Sequence, residues 1–231
     1  MPNISDNRVL RALDSPDLDR LGAHLVGMDL SARTPLVRPD APASHVYFPA
    51  AGVVSLVQPL DDGSAVEAGL IGADGFVGVH TMLGADTTPS EAVVLLPGYG
   101  WRLPVGVFRD ELTRNAAFRH QALLYAQALN VQVMYSVACN ARHRVVQRLA
   151  RWLSAGRDRV ATDDLPISQE YLSTILGCRR AGVTIAIAAL RTKGLISNSI
   201  NMVHIVNRDG LRAAACSCYE SVKKESERLL G

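Results

Sequence analysis

Apolar positions between residues 165 and 196 follow the period of two short helices. The first helix has one apolar face formed by Leu172, Ile175 and Leu176. The second has the i, i+3, i+4, i+7 pattern of an amphipathic helix at Val183, Ala186, Ile187 and Leu190. A tight turn is predicted at Gly177-Cys178, and Arg179 and Arg180 follow it. This pattern predicts a helix-turn-helix, whose second helix directs its first residues at base edges in a DNA major groove.

Upstream, between Thr34 and Pro104, short apolar runs alternate with Gly, Pro and Asp, including a turn at Asp61-Asp62-Gly63. Many short strands broken by turns predict an antiparallel sandwich or barrel. Residues 5–30 are predicted to be helical, with Ser15-Pro16 as a helix start. The last 20 residues of the chain are predicted to be helical as well.

Residues 106–141 have a long helical period. Their apolar seam steps by 4, 3, 4 and 3 residues through Leu124, Ala128, Val131, Tyr135 and Ala138. Such a stripe between two domains favours a homodimer interface, and the alternative is a helix packed on its own domain. A further helix over HRVVQRLARWLSAGRDR precedes the helix-turn-helix, and GLISNSINMVHIVNRDG predicts two strands around a polar turn, a wing.

Composition sets outer bounds on these interpretations. The 231 residues are 48% hydrophobic, enough for substantial cores, and no apolar run approaches the roughly 20 residues of a membrane span. The N-terminus lacks the apolar centre of a signal peptide, and the four cysteines form no CxxC pair. We therefore expect a reduced, cytoplasmic location without membrane contact.

The net charge of +2 hides an uneven distribution. Residues 1–139 contain 9 Lys/Arg and 14 Asp/Glu, a balance of −5, whereas residues 140–231 contain 15 and 8, a balance of +7. A basic C-terminal half fits contact with phosphates, although an ordinary solvated basic surface would look the same. Because the basic half coincides with the helix pair, we favour double-stranded DNA as the partner.

The stretch ISQEYLSTILGCRRAGVTIAIAALRTKGLI, with HVYFPAAGVVSLV and GFVGVHTMLG upstream, resembles the cyclic-AMP receptor protein/FNR (Crp/Fnr) family of bacterial transcription regulators. VYFPAAGVVSLV and the ending ESERLLG resemble a branch whose effectors are generally unassigned. The resemblance implies an α+β fold in three parts. These are a cyclic-nucleotide-binding-like antiparallel β-barrel (jelly roll) over residues 1–112, a long dimerisation helix and hinge over 113–141, and a winged helix-turn-helix DNA-binding domain over 142–231.

By the same resemblance, Ser168 and Gln169 contact the DNA backbone, and Arg180 is the base-reading arginine, suited to guanine O6 and N7. Arg179 is expected either to contact the DNA backbone or to be plain surface charge, and Thr184 could bond a phosphate or a base. Ser168 is also placed to cap the first helix. The best-known family member has glutamate and arginine where this chain has Ala181 and Ile185, so we predict a different half-site that uses thymine methyl contacts.

Family members that bind cyclic AMP use a glutamate for the ribose and an arginine–serine pair for the cyclic phosphate. Here Val79 replaces the glutamate, and no arginine lies between Arg38 and Arg102. We therefore predict no micromolar binding of cyclic AMP. An apolar pocket for an unidentified small molecule, or no ligand at all, stays open. The candidate pocket residues are Gly78, Val79, His80, Thr88 and Ser90.

No cofactor is predicted from the sequence. An iron–sulfur cluster of the FNR type needs N-terminal cysteines, and the first cysteine here is Cys139. His80 and Pro2 invite comparison with haem-binding relatives, but their surroundings do not match. Cys216 and Cys218 form a CxC pair that could sense redox state or metal, yet without histidine partners in the sequence we predict no metal ligands.

Two other functions compete with the DNA-binding prediction. A cupin-type enzyme would need several converging histidines, but the barrel segment has only His45 and His80, and no catalytic motif occurs elsewhere. We therefore predict no enzymatic activity. A winged helix used for protein–protein contact is opposed by Arg180 and the charge distribution. RNA polymerase is an expected partner by the family resemblance.

Overall fold

The computed structural model describes residues 3–231. A short 3-10 helix (Ile4–Asp6) opens the described chain. The N-terminal helices are α1 (Arg8–Arg11) and α2 (Ser15–Gly22), followed by β1 (Val26–Leu30), β2 (Pro35–Val37), β3 (His45–Pro59), β4 (Ala65–Ile71), α3 (Val79–Met82) and β5 (Glu91–Pro104). The middle and C-terminal elements are α4 (Val105–Arg114), α5 (Ala116–Arg142), α6 (Val145–Val160), β6 (Asp164–Leu165), α7 (Gln169–Ile175), α8 (Arg180–Thr192), β7 (Ile196–Ser199), β8 (Met202–Ile205), α9 (Arg208–Ala214) and α10 (Cys218–Leu230).

The first five strands form one antiparallel sheet in the order β1-β5-β3-β4, with β2 paired to β5. The two long strands, β3 and β5, run side by side with several register shifts, which bend them so that they contribute to more than one part of the sheet. The predicted turn joins β3 to β4: the Leu60 N–H donates to the Ser64 carbonyl at 2.8 Å, and Gly63 has a φ of +80°. The expectation of an antiparallel all-β unit is confirmed.

The N-terminal prediction was wrong in part. Helix α2 begins close to Ser15-Pro16 as predicted, with Asp14 as its cap accepting from the Asp17 N–H. Residues 26–30, however, form strand β1 rather than the end of a helix, because they pair along β5 from Val26 opposite Arg102 to Leu30 opposite Gly98. Pairing with a distant strand overrides the local helical pattern.

The long helix is interrupted once. The period over residues 106–141 predicts one helix, but Asn115 separates α4 from α5 with φ −110° and ψ 105°. Its side-chain oxygen accepts from the Phe118 N–H at 2.9 Å, so the residue caps α5 instead of continuing α4. Helix α5 then runs unbroken for 27 residues.

By length and composition α5 could cross a membrane, since its most apolar 18-residue stretch has a mean hydropathy of 1.2. The bent pair α7–α8 meets the same criterion when the two helices are taken together. The prediction concerned uninterrupted apolar runs, and α5 contains none of about 20 residues, because polar residues such as Arg119, Gln127 and Asn130 interrupt it. A core helix of a water-soluble protein has the same composition, and α5 is packed against α4, β4 and α10, with 39% of the apolar stretch buried.

The C-terminal part has the predicted elements. Strands β7 and β8 pair from Ile196 opposite Ile205 to Ser199 opposite Met202, with an exposed turn between them. Strand β6 completes a three-stranded sheet in the order β6-β8-β7. Two helices, α9 and α10, follow in the region predicted to be helical. The mixed helical and antiparallel fold, with a helix-turn-helix and wing at the C-terminal end, is confirmed.

The described residues form two large hydrophobic cores. The first fills the barrel sheet and closes against α4 and α5 around Phe48, Phe76, Phe108 and Phe118. The second is the core of the C-terminal domain, built around Trp152, but it also contains Val53, Leu70, Leu95 and Leu96 of the barrel strands. The C-terminal winged-helix part therefore packs directly on the barrel strands through a continuous apolar contact.

Candidate nucleic-acid interface and effector cavity

Helices α7 and α8 meet at an angle of 107°, within the range of a helix-turn-helix. Gly177 in the turn has a φ of +53°, a left-handed conformation that glycine adopts at little cost. The predicted apolar faces are both buried, at Leu172, Ile175, Leu176, Val183, Ala186, Ile187 and Leu190. Burial of these faces fixes which side of α8 is left for a partner.

That outward side carries the residues predicted to read DNA. Arg179, Arg180, Ala181, Thr184 and Ile185 are all exposed. Ile185 is 71% exposed, so its side chain is accessible to a partner. Within residues 3–231, neither arginine forms an ion pair, so both guanidinium groups are available to phosphates or base edges.

The first helix of the pair is anchored at both ends. Ser168 caps α7, since its Oγ accepts from the Tyr171 N–H at 3.1 Å. The Thr184 hydroxyl donates to Gln169 Oε1 at 3.0 Å, which ties α7 to the exposed face of α8. At the other end, buried Arg148 on α6 donates to the Leu176 carbonyl in the turn. Gln169 and Thr184 are thus held in a fixed geometry beside Arg180.

The turn of the helix-turn-helix packs against the barrel. A Cβ added to Gly177 would lie 3.3 Å from Val66 of β4, so the turn approaches the strand closely. Next to it, the Glu67 carboxylate accepts from the Ser55 hydroxyl at 2.6 Å and from Trp152 Nε1 at 2.8 Å. Burial raises the pKa of the Glu67 carboxyl to about 7, although both hydrogen bonds oppose this shift. Sequence patterning did not single out Glu67, because alternation identifies a buried strand face but not its partner.

The predicted effector residues converge on one cavity. Gly78, Val79, His80, Thr88 and Ser90 line a space of about 200 Å³ inside the barrel, closed on one side by Leu129 of α5. No Lys or Arg lines the cavity in the described part of the chain. Burial lowers the pKa of His80, and the nearby positive charge of Arg109 lowers it further. The His80 Nε2 atom is buried and has no hydrogen-bond partner among residues 3–231.

A larger cavity of about 460 Å³ lies where α1, α5, α6 and α10 meet, and no sequence pattern predicted it. Its walls are highly charged, with Arg8, Arg151 and Arg159 facing Asp74 and Asp158. Its volume falls within the usual range of small-molecule pockets, about 300–1,000 Å³, whereas the barrel cavity is smaller than that range.

The residues predicted to form the dimer seam occupy different environments. Ala128 is buried against the chain's own core, and Tyr135 packs on buried cysteines. Leu124 and Val131 are half-buried, and Ala138 is exposed. The stripe of exposed residues is displaced by one residue from the predicted one and contains Leu123, Gln127, Asn130, Met134 and Val137. The large apolar members of this stripe are 49%, 62% and 67% exposed, at Leu123, Met134 and Val137.

The prediction that the CxC pair lacks histidine partners is wrong. Cys139 and His143, at the end of α5, lie beside Cys216 and Cys218, at the start of α10. The sequence signal was the CxxxH spacing at a helix end, which places both side chains on one face. It was missed because the two pairs are more than 70 residues apart in the chain.

Two known domain families match the chain by sequence. Residues 28–115 match the family described as cyclic nucleotide-binding domain, and residues 147–214 match the Crp-like helix-turn-helix domain. No curated protein matches the chain by sequence.

Solved structures share the fold at low identity. A transcriptional regulator of the Crp/Fnr family from Eubacterium rectale is 13% identical with a TM-score of 0.70, covering 89% of this chain and 96% of its own. The c-di-GMP-responsive regulator CLP of Xanthomonas campestris is 20% identical with a TM-score of 0.68, covering 83% and 99%. FixK2 of Bradyrhizobium japonicum is 14% identical with a TM-score of 0.69, covering 84% and 98%.

Proposed function

Because the chain belongs to the Crp/Fnr family of DNA-binding transcription regulators, we propose that it acts as a homodimer on a palindromic operator. The observation that carries this proposal is the exposed start of α8, where two unpaired arginines and Ile185 stand on a buried scaffold. Two such helices related by a two-fold axis would enter successive major grooves, about 34 Å apart.

Each exposed residue has a proposed role in this interface. Arg180 bonds guanine O6 and N7, and Ala181 and Ile185 contact thymine methyl groups. Ser168, Gln169 and Arg179 hold the phosphate backbone, and Thr184 contacts a phosphate or a base beside them. The protein works in the cytoplasm, where its DNA lies, with RNA polymerase as a further partner and no catalytic activity of its own. The functional units are residues 1–112, 113–141 and 142–231.

The homodimer forms along α5. The exposed stripe that includes Met134 and Val137 would otherwise leave a row of large apolar side chains in water. A second copy of the helix would cover it, with the half-buried residues Leu124 and Val131 at its margin and Ala138 near its end. This arrangement keeps the proposed helix-to-helix dimer and moves its centre by one residue.

The direct test selects bound sequences from a randomised duplex library with purified full-length protein and no added ligand. We expect a two-fold symmetric motif, with a guanine opposite Arg180 and thymines near Ile185. Arg180→Ala should weaken binding to the selected site about 10- to 100-fold, since one bidentate pair contributes about 1–3 kcal/mol. Arg228→Ala, which removes an exposed arginine on α10, is the matched control and should bind as wild type.

Two outcomes would contradict the proposal. One is the absence of any enriched motif both with and without cell extract, which would favour protein–protein contact by the winged helix. The other is equal loss of affinity in Arg180→Ala for selected and random duplexes, which would make Arg180 a phosphate contact.

We also propose that the barrel cavity does not bind cyclic nucleotides. The cyclic phosphate carries a negative charge, and the described lining offers no cation to meet it. The cavity is also smaller than typical ligand pockets. A calorimetric titration with cyclic AMP, using a preparation that binds its selected operator, should show no saturable heat below about 100 µM. Tight binding of one equivalent would overturn this assignment. A smaller neutral effector is compatible with the size and the uncharged lining of the cavity.

A further inference from the structure

Four potential metal ligands meet at the junction between α5 and α10. Cys139 lies in the last turn of α5 and His143 directly follows that helix, while Cys216 and Cys218 flank the start of α10. No two of the four ligand atoms are more than 4.8 Å apart. The three cysteines are buried and His143 is half-buried, so the cluster is closed except at its imidazole edge.

The spacing of the ligand atoms matches a tetrahedral site. Zinc bonds of about 2.3 Å to sulfur and about 2.0–2.1 Å to nitrogen place tetrahedral ligand atoms about 3.8 Å (S to S) and about 3.5 Å (S to N) apart. The Cys139 and Cys216 Sγ atoms are 3.4 Å apart, and Cys218 Sγ is 3.6 Å from His143 Nδ1. Small side-chain adjustments would therefore place all four atoms around one ion. We propose that Cys139, His143, Cys216 and Cys218 bind one zinc ion.

A disulfide or a purely apolar role for the cysteines accounts for less of the geometry. A disulfide requires sulfur atoms about 2.05 Å apart, and a Cys139–Cys216 bond would leave Cys218 and His143 unexplained. Buried cysteines also serve as small hydrophobic side chains, but that role does not bring an imidazole nitrogen to a sulfur atom. Three thiolates with one imidazole form a Cys3His set, which in closed tetrahedral sites favours zinc over hard oxygen-seeking cations.

The charge balance around the cluster is consistent with a metal–thiolate centre. Binding would form three Zn–S bonds and one Zn–N bond, with each thiol proton released to solvent. Three thiolates and Zn²⁺ carry a net charge of −1. The guanidinium of Arg151 on α6 would place a positive charge beside this anionic centre. The Arg151 Nε atom is itself buried and finds no hydrogen-bond partner in the part of the chain that the structure describes.

The position of the cluster gives the metal a mechanical role. Helices α6 to α9, which contain the helix-turn-helix and the wing between them, begin just after His143 and end just before Cys216. One ion bound to all four side chains would fasten these two connections to each other and to the end of the dimerisation helix. The site would thus set the hinge between α5 and the DNA-binding domain independently of the barrel cavity.

The test is metal analysis of full-length protein purified under reducing conditions without chelators. We expect about one zinc per chain and, after replacement by Co²⁺, the intense visible absorption of tetrahedral cobalt with thiolate charge transfer. Cys139→Ser and Cys216→Ser should each weaken zinc binding by more than about 100-fold, beyond the loss typical of an outer-shell change. The matched control is Cys178→Ser, which alters the one cysteine outside the cluster and should retain the zinc.

A second measurement covers variants that fail to fold. Wild-type protein stripped with a chelator is titrated with Zn²⁺ against a chromophoric competitor, and its melting temperature is followed. We expect one equivalent to be withdrawn from the competitor and the melting temperature to rise. No withdrawal by fully reduced protein, iron in place of zinc, or a Cys139–Cys216 disulfide in anaerobically prepared protein would each overturn the proposal. None of these readouts involves DNA, so failure here leaves the operator test unaffected.

Discussion

Glu67 shows how one buried side chain couples two domains. It belongs to barrel strand β4, yet it accepts a hydrogen bond from Trp152 in the DNA-binding domain. Because burial raises its pKa from an ordinary 4.5 to about 7, folded protein keeps a proton that the unfolded chain releases above pH 4.5. The free energy of unfolding therefore falls as pH rises from about 4.5 to about 7, and it would be constant outside that window if only Glu67 titrated.

We predict that Glu67→Gln removes this component of the pH dependence. Glutamine can donate to Ser55 and accept from Trp152, so the contact survives without a titrating group. In urea unfolding, the free energy of unfolding of wild type should fall between pH 5 and pH 7.5 by up to about 3 kcal/mol more than that of the variant. Asp61→Asn, at an exposed carboxylate in the β3–β4 turn, should behave as wild type. Equal pH dependence in wild type and Glu67→Gln would contradict the prediction.

Residue-level features were predictable where they depend on local geometry. The helical period alone places Ile185 opposite the apolar face, and Ser168 has the position of a cap before any tertiary contact forms. The environment of Glu67 and the meeting of Cys139 with Cys216 depend on contacts across the fold. Periodicity carries no information about which distant segment a side chain will meet.

At the scale of elements, the helix-turn-helix and the wing were predictable because turn residues separate the helices and strands that form them. The break between α4 and α5 was not, since Asn115 stands within an otherwise helical pattern and acts as a cap only in the folded chain. The predicted dimer seam differs by one residue from the exposed stripe of α5 for a related reason. Apolar residues line both faces of this helix, and the pattern alone does not separate the face packed on the barrel from the face left for a partner.

We predict that Met134→Glu combined with Val137→Glu converts the dimer to a monomer. Across a two-fold axis these carboxylates would lie close to their own copies, which disfavours association by repulsion and desolvation. Sedimentation equilibrium should give the mass of one 24.9 kDa chain instead of two. Leu83→Glu alters a side chain that is 70% exposed on the barrel and should leave the dimer intact. A double variant that still sediments as a dimer would place the interface elsewhere.

For the whole molecule, the order of barrel, long helix and winged helix was predictable from the succession of periods along the chain. The contact between the DNA-binding domain and the barrel was not. Val53, Leu70, Leu95 and Leu96 are apolar strand residues like their neighbours, and nothing in the sequence distinguishes a side chain buried in the barrel from one buried under another domain. Domain docking is therefore a property of complementary surfaces that single-segment patterns do not encode.

The meeting of the ends of α5 and α10 also bears on how this architecture can diversify. Residues 145–214 begin and end close together in space. The Sγ atoms of Cys139 and Cys216, which lie just outside the two ends, are 3.4 Å apart. In topological terms, the winged-helix unit is an insertion between two helices that pack on each other. Insertions with adjoining ends can be exchanged without distorting the rest of the fold, so a different winged-helix unit could be grafted here while the barrel and the α5–α10 pair stay unchanged.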